Sequence, residues 1–249
     1  MKPIYAGAAI AAASLLATPA LAQDWKFTVT PYFWMAGLNG DIAPFPKFPV
    51  AHTDQSFGDI LDDFQTGGAL AFNAQHGKWS VLGDVSYIDT DSGRQAVSAS
   101  PDYTVAGLES KATWLTGAIG YRVAETPAYA LDLFGGVRMN WQDNAVRLVK
   151  TDNTQLNGDH DENWTDPIIG ARIIAPLAPK WDFTGMADAG GFGVGSRLTY
   201  QLYAAATYRL SDRWSLTAGY RYMSVDYRND GFISDIVEQG PILGTQFRF

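Results

Sequence analysis

The sequence contains no cysteine. A disulfide framework and a thiolate metal site are therefore excluded. Charge is sparse, at 18% of 249 residues, and 26 acids against 18 bases leave a net charge of −8. A nucleic-acid binder needs a basic footprint, so that class is set aside. Only three histidines are present, which leaves few candidates for general-base chemistry. Beyond the N-terminal stretch, no apolar run approaches the roughly 20 residues that a spanning helix requires. A helical membrane protein is thereby excluded. A mean hydropathy of −0.10 still suits a membrane barrel, whose alternating strands average to neutral.

The first residues read as a cleaved secretion signal. Lys2 supplies the positive start, Ile4 to Leu16 a short apolar run, and Ala20-Leu21-Ala22 a small-residue cleavage site. Residues 1–22 are expected to be removed, leaving one domain over 23–249.

Glycine (25 residues) and aromatics (13%) are abundant, and they fall in segments that alternate with period two. Strands are expected at Trp25–Met35, Gly67–Gln75, Lys78–Asp89, Leu108–Val123, Tyr129–Gln142, Trp164–Pro176, Lys180–Ala189, Arg197–Leu210 and Arg213–Tyr227. A last strand ends at Phe249. Pro31 cannot donate to a ladder, so it marks a bulge or a nitrogen outside regular pairing. Short turns at His76-Gly77, Glu125–Pro127, Pro179 and Ser211-Asp212 alternate with long connections. Those connections follow strand 1 and cover Thr90–Gly107, Asp143–Asn163, Gly190–Ser196 and Arg228–Gln239. An even strand number with short turns at one end and long loops at the other predicts a ten-stranded antiparallel transmembrane β-barrel, with eight or twelve strands as the neighbouring counts. In the first long loop, Phe57, Ile60, Leu61 and Phe64 form a helical stripe behind Ser56. A short amphipathic helix over Ser56–Phe64 is expected, docked on the barrel mouth.

Aromatic rings should mark the two membrane interfaces. Trp25, Trp79, Tyr129, Trp181 and Trp214 are expected at the turn end, and Tyr87, Trp141 and Trp164 at the other. The alternation in the last strand puts Leu243, Thr245, Phe247 and Phe249 on one face.

These features together resemble the small Gram-negative outer-membrane β-barrel proteins, in particular a largely uncharacterised proteobacterial family. The stretches that carry the resemblance are FTVTPYFWMAGLNGDI, SFGDILDDF, KWSVLGDVSYID, GGFGVGS, DRWSLTAGYRYMSVDY and GPILGTQFRF. The resemblance implies an outer-membrane location with both termini periplasmic. It also implies that Leu243, Phe247 and Phe249 belong to a signal read by the barrel assembly machinery. Lipid and lipopolysaccharide are then the expected surroundings, and a monomer the expected state. The family supplies no catalytic residues.

With the apolar face outward, the lumen receives Asp84, Asp132, Arg138, Arg172, Asp182, Asp188 and Arg221, with Gln201 and Gln246. Buried charges of both signs must pair, and Asp188 is expected to pair with Arg172 or Arg221. The result is either an ion-paired plug or a narrow polar passage. No cofactor is called for, and the chain is read as a structural or interaction barrel and not as an enzyme. Two other functional readings remain. One is an outer-membrane hydrolase using His160 within Asp159-His160-Asp161-Glu162. The other is a soluble secreted β-sandwich that binds a ligand. Asp152, Asp159, Asp161, Glu162 and Asp166 are also oxygen donors of the kind that hold Ca²⁺.

Overall fold

A computed structural model describes residues 25–46, 50–93, 95–96 and 103–249. The expected signal segment lies outside these. Ten strands form the barrel: β1 (Trp25–Trp34), β4 (Phe64–His76), β5 (Trp79–Asp91), β7 (Tyr103–Glu125), β8 (Ala130–Lys150), β9 (Gln155–Ala178), β10 (Trp181–Gly190), β11 (Leu198–Arg209), β12 (Trp214–Asn229) and β13 (Phe232–Arg248). Each pairs antiparallel with the next, and β13 returns to β1, so the lower wall has no free edge. Two further strands, β2 (Gly37–Ala43) and β3 (Ala51–Gln55), extend the wall above β1, and a two-residue strand, β6 (Gln95–Ala96), pairs with β7. β1 and β2 keep one register against β13 across the break at Met35-Ala36. The strands are strongly tilted. The row of facing residues that begins at Lys26 winds once around the ring and comes back at Leu38.

Pro31 produces no bulge. Phe27 and Phe249 exchange both main-chain bonds, so alternation turns the Pro31 nitrogen toward β13. Thr30 and Pro31 drop out of that register while Val29 and Tyr32 stay in step.

The barrel wall is apolar outside, and its buried charges all face inward. Leu70, Ile119, Leu133, Ile169, Leu202 and Leu243 are exposed on the outer face, while Arg138, Asp166, Asp132 and Arg221 are buried. That inversion suits a surface in contact with hydrocarbon. Trp25, Trp79, Tyr129, Trp181 and Trp214 all stand at the turn end, on β1, β5, β10 and β12 or just before β8. Tyr87 and Trp141 face outward at the loop end. Trp164 differs from the expectation. It points into the barrel, only 6% exposed, and stacks on Tyr227 at 4.0 Å. Its place in β9 shares the parity of Asp166 and Arg172, which are lumen positions.

The long loops expected over 143–163 and 228–239 are instead strand. β8 and β9 continue their ladder to Val149 and Gln155, and β12 and β13 to Asn229 and Phe232. Outside lipid, neither face must be apolar, so the hydrophobic period disappears while main-chain pairing continues. The helix α1 (Phe57–Asp62) forms behind Ser56, whose side chain accepts from Asp59 N while Asp59 Oδ2 accepts from Ser56 N. Ser56 Oγ, at 2.7 Å, and then Ser56 N, at 2.8 Å, donate to the Asp59 carboxyl and hold it below the usual carboxylate range. Its apolar stripe is not buried as expected. No helix residue is buried, and Leu61 is 53% exposed. Phe64 has left the helix for β4, where its ring lies over the Cβ-less Gly67.

At the closing seam, the ring of Phe249 stacks on Phe27 at 5.6 Å and on Phe247 at 5.7 Å. Phe249→Ser removes both contacts from a seam already short of one Pro31 hydrogen bond. The mutant is expected to yield less heat-modifiable, folded barrel in outer-membrane fractions. Wild-type amounts would show that this ring is dispensable.

Candidate functional site in the barrel lumen

The lumen has three layers. At the turn end lies a chamber of about 700 Å³. Above it is a layer of paired charges. Above that, toward the loop end, an apolar core fills the barrel.

Three salt-bridge systems make up or flank the charged layer. Arg138 on β8 is fully buried; its Nη2 donates to Asp188 Oδ1 at 2.9 Å and its Nη1 to Thr199 Oγ1 at 3.2 Å. Gln201 Nε2 donates to the other Asp188 oxygen at 3.1 Å. Asp132 sits between two guanidinium groups. Arg122 Nε reaches its Oδ1 at 2.9 Å and Arg172 Nη2 its Oδ2 at 2.7 Å. Arg172 also crosses the lumen, donating from Nη1 to Asn73 Oδ1 on β4 at 3.0 Å. The third system also spans the bore. Arg221 Nη1 on β12 donates to Asp84 Oδ1 on β5 at 3.2 Å and to Tyr32 Oη on β1 at 2.7 Å. Tyr32 in turn donates to Asp84 Oδ2 at 2.8 Å.

The expected partners of Asp188 were thus wrong. Arg172 is taken by Asp132 and Arg221 by Asp84. Arg138 points inward from two strands away and reaches Asp188 across β9. Asp182 lies lower, in the chamber wall, 3.4 Å from Arg209 Nε. Tyr32, Asn73, Arg122, Thr199 and Tyr203 also belong to the lumen. Strand parity could have found each of them; Arg122, for example, shares the inward parity of Trp114 and Thr116.

The core above is built from Trp114, Trp164, Met223, Val225, Tyr227, Phe232 and Ile236, with Trp34, Leu38, Ile42 and Ile88 packed against it. Arg221 joins the two layers by lying 4.6 Å from the Trp34 ring centre. On the loop-end side, β10 and β11 stop short of their neighbours. The connection Gly191–Arg197 turns inward there, with Gly191 and Gly193 at positive φ. It delivers Ser196 to Asp166, which accepts from Ser196 N at 2.6 Å, Ser196 Oγ at 2.7 Å and Trp164 Nε1 at 3.2 Å. Tyr227 and Glu162 close the same gap at 2.7 Å.

The Asp159-His160-Asp161-Glu162 quartet is divided by strand parity. His160 lies 3.1 Å from Glu162 and between the rings of Phe45 and Phe232. Glu162 is also engaged by Tyr227 and Asn229. Asp161 stands on the opposite face, across from Asp143. Burial and the facing Asp161 raise the Asp143 carboxyl above its usual range. Among the described residues, no three His, Asp or Glu side chains converge as metal ligands. Of the five acids considered for Ca²⁺, Asp166 is bound up with Ser196 inside the barrel and Asp152 caps the β8–β9 turn through Thr154 N.

The ring of ten tilted strands, apolar outside and charged inside, has a counterpart among solved structures. The outer membrane protease OmpT from Escherichia coli superposes with a TM-score of 0.51 at 10% identity, over 91% of this chain and 97% of that one. This chain has the outer-membrane β-barrel fold. The translocator domain of the autotransporter NalP from Neisseria meningitidis gives 0.47 at 11% identity, covering 91% and 88%. A major outer membrane protein from Thermus thermophilus gives 0.41 at 15%, covering 90% and 99%. No family model and no curated protein matches the chain.

Proposed function

We propose that this chain is a monomeric outer-membrane barrel, closed to through-flow, that serves a structural or interaction role and catalyses no reaction. Its short turns and both termini lie on the periplasmic side, and its tall β7–β9 wall stands outside the cell. Lipid and lipopolysaccharide surround it, and the assembly machinery reads its last strand. The observation that carries this reading is the stacking of two seals. Two side-chain bridges span the bore, from Arg221 to Asp84 and from Arg172 to Asn73. The core around Trp114, Trp164 and Met223 then fills the space above them. A passage for polar solutes needs a continuous wet path, and an aromatic core offers none.

The test is single-channel recording on the refolded protein in a planar bilayer. Near-background current is expected for the wild type. It is also expected for Asp188→Ala, because the aromatic core remains after the ion pair is lost. Large, steady currents from the wild type would overturn the closed lumen and favour a narrow passage.

A further inference from the structure

We propose that the chamber at the turn end is a binding site for a single-chain amphipathic anion, such as a long-chain carboxylate. The blind end of the site rests on the closed-lumen reading, but binding is measured independently of current, so the two can fail separately. Three features of the chamber lead to this class of ligand.

The first is size and shape. About 700 Å³ lies within the range of small-molecule sites, roughly 300–1,000 Å³. The chamber is blind. It ends at the Arg221–Asp84–Tyr32 cluster and at Asp188, with the apolar core beyond.

The second is the wall. A water-filled bore is expected to be polar throughout. Here Leu82, Phe134, Met186, Ile174, Tyr203 and Ile242 line the chamber. Phe134, Leu82 and Met186 belong to a small apolar cluster with Ala118 and Ile168. These side chains leave an apolar surface facing unfilled space, which an alkyl chain would cover with gain.

The third is the rim. Lys26, Arg213 and Arg248 lie at the mouth, contributed by β1, the β11–β12 turn and β13. Arg248 is held by Gln246 Oε1 at 3.1 Å, and none of the three forms a salt bridge among the described residues. The charges deeper inside are different: Arg221, Arg172 and Asp188 are all committed to partners. An entering ligand therefore meets three cations and the acid Asp212 at the mouth, a net positive rim, and apolar patches among polar residues within. The alkyl chain goes in and the anionic head stays with Lys26, Arg213 and Arg248. The chamber opens on the side of the short turns, so the ligand arrives from that compartment and not laterally from the bilayer.

The experiment uses the purified barrel in amphipol, free of detergent, with laurate as the probe and dodecanol as its neutral control. Native mass spectrometry counts bound ligand, and calorimetry gives affinity. One laurate per barrel is expected. Exposed ion pairs are individually weak, and three together are worth about tenfold, so Lys26→Gln/Arg213→Gln/Arg248→Gln should weaken laurate by about tenfold and leave dodecanol unchanged. Ala71→Trp, which projects into the chamber, should abolish binding of both. Its heat-modifiable migration reports whether it still folds. If it does not fold, Thr184→Trp on the facing wall replaces it. Laurate binding that survives a folded chamber-filling variant would place the ligand on the outer apolar surface and overturn the proposal. Equal weakening of laurate and dodecanol by the rim variant would overturn the assigned orientation. Absence of laurate from the wild type would overturn the site altogether.

Discussion

Asp188→Ala is expected to destabilise the barrel by about 3–5 kcal/mol, among the largest effects of any lumen substitution. The carboxylate receives Arg138 Nη2 at 2.9 Å and Gln201 Nε2 at 3.1 Å, and both members of the ion pair are shielded from solvent. Without it, Arg138 keeps only Thr199 and a long 3.4 Å contact to Thr116. Two neutral hydroxyls do not balance a buried guanidinium. The loss therefore measures a stranded cation more than the worth of the pair. The double substitution Arg138→Met/Asp188→Leu separates the two, because it removes both charges and keeps the volume. It should return to near wild-type stability or above it. Urea unfolding of the refolded protein in lipid vesicles reads both. A single mutant within about 0.5 kcal/mol of wild type would mean that chamber water hydrates Arg138, and that the charged layer is wetter than its burial suggests.

The same pair shows what the sequence made legible. Parity along a strand depends only on the pleat, so the alternation of residues is enough to place Asp188 and Arg138 inward. Which arginine meets which aspartate depends on strand tilt, and that is not written in a period of two. Trp164 failed for a related reason. Its type suggested the interface, but its parity with Asp166 and Arg172 was the better guide. The tall hairpins were missed because the cue was hydrophobic alternation. Toward the loop end, Asn144, Asp159 and His160 stay in strand through main-chain pairing without a hydrophobic period. The chamber was not legible at all. It is a volume left between Leu82, Phe134, Met186 and Tyr203, which come from four different strands, and no local pattern records a space.

Leu133→Arg should cost roughly 2–4 kcal/mol, whereas Thr217→Arg should cost much less. Leu133 is 50% exposed on the outer face of β8, between the aromatic positions Tyr129 and Trp141. In lipid, an arginine there must either strand its charge in hydrocarbon or drag headgroups and water toward it. Thr217 is buried on the inner face of β12 and lines the chamber. An arginine at that site loses the 2.8 Å hydroxyl contact between Thr217 and Thr207 but gains chamber water for its guanidinium. Most of the difference between the two costs comes from the medium each face meets. Urea titrations in phospholipid vesicles give both values on one scale. In micelles, whose interior is thinner and more compliant, the gap should narrow. Equal costs in vesicles would mean that the outer wall at Leu133 does not contact hydrocarbon, and the lipid-facing assignment of the apolar surface would fall with it.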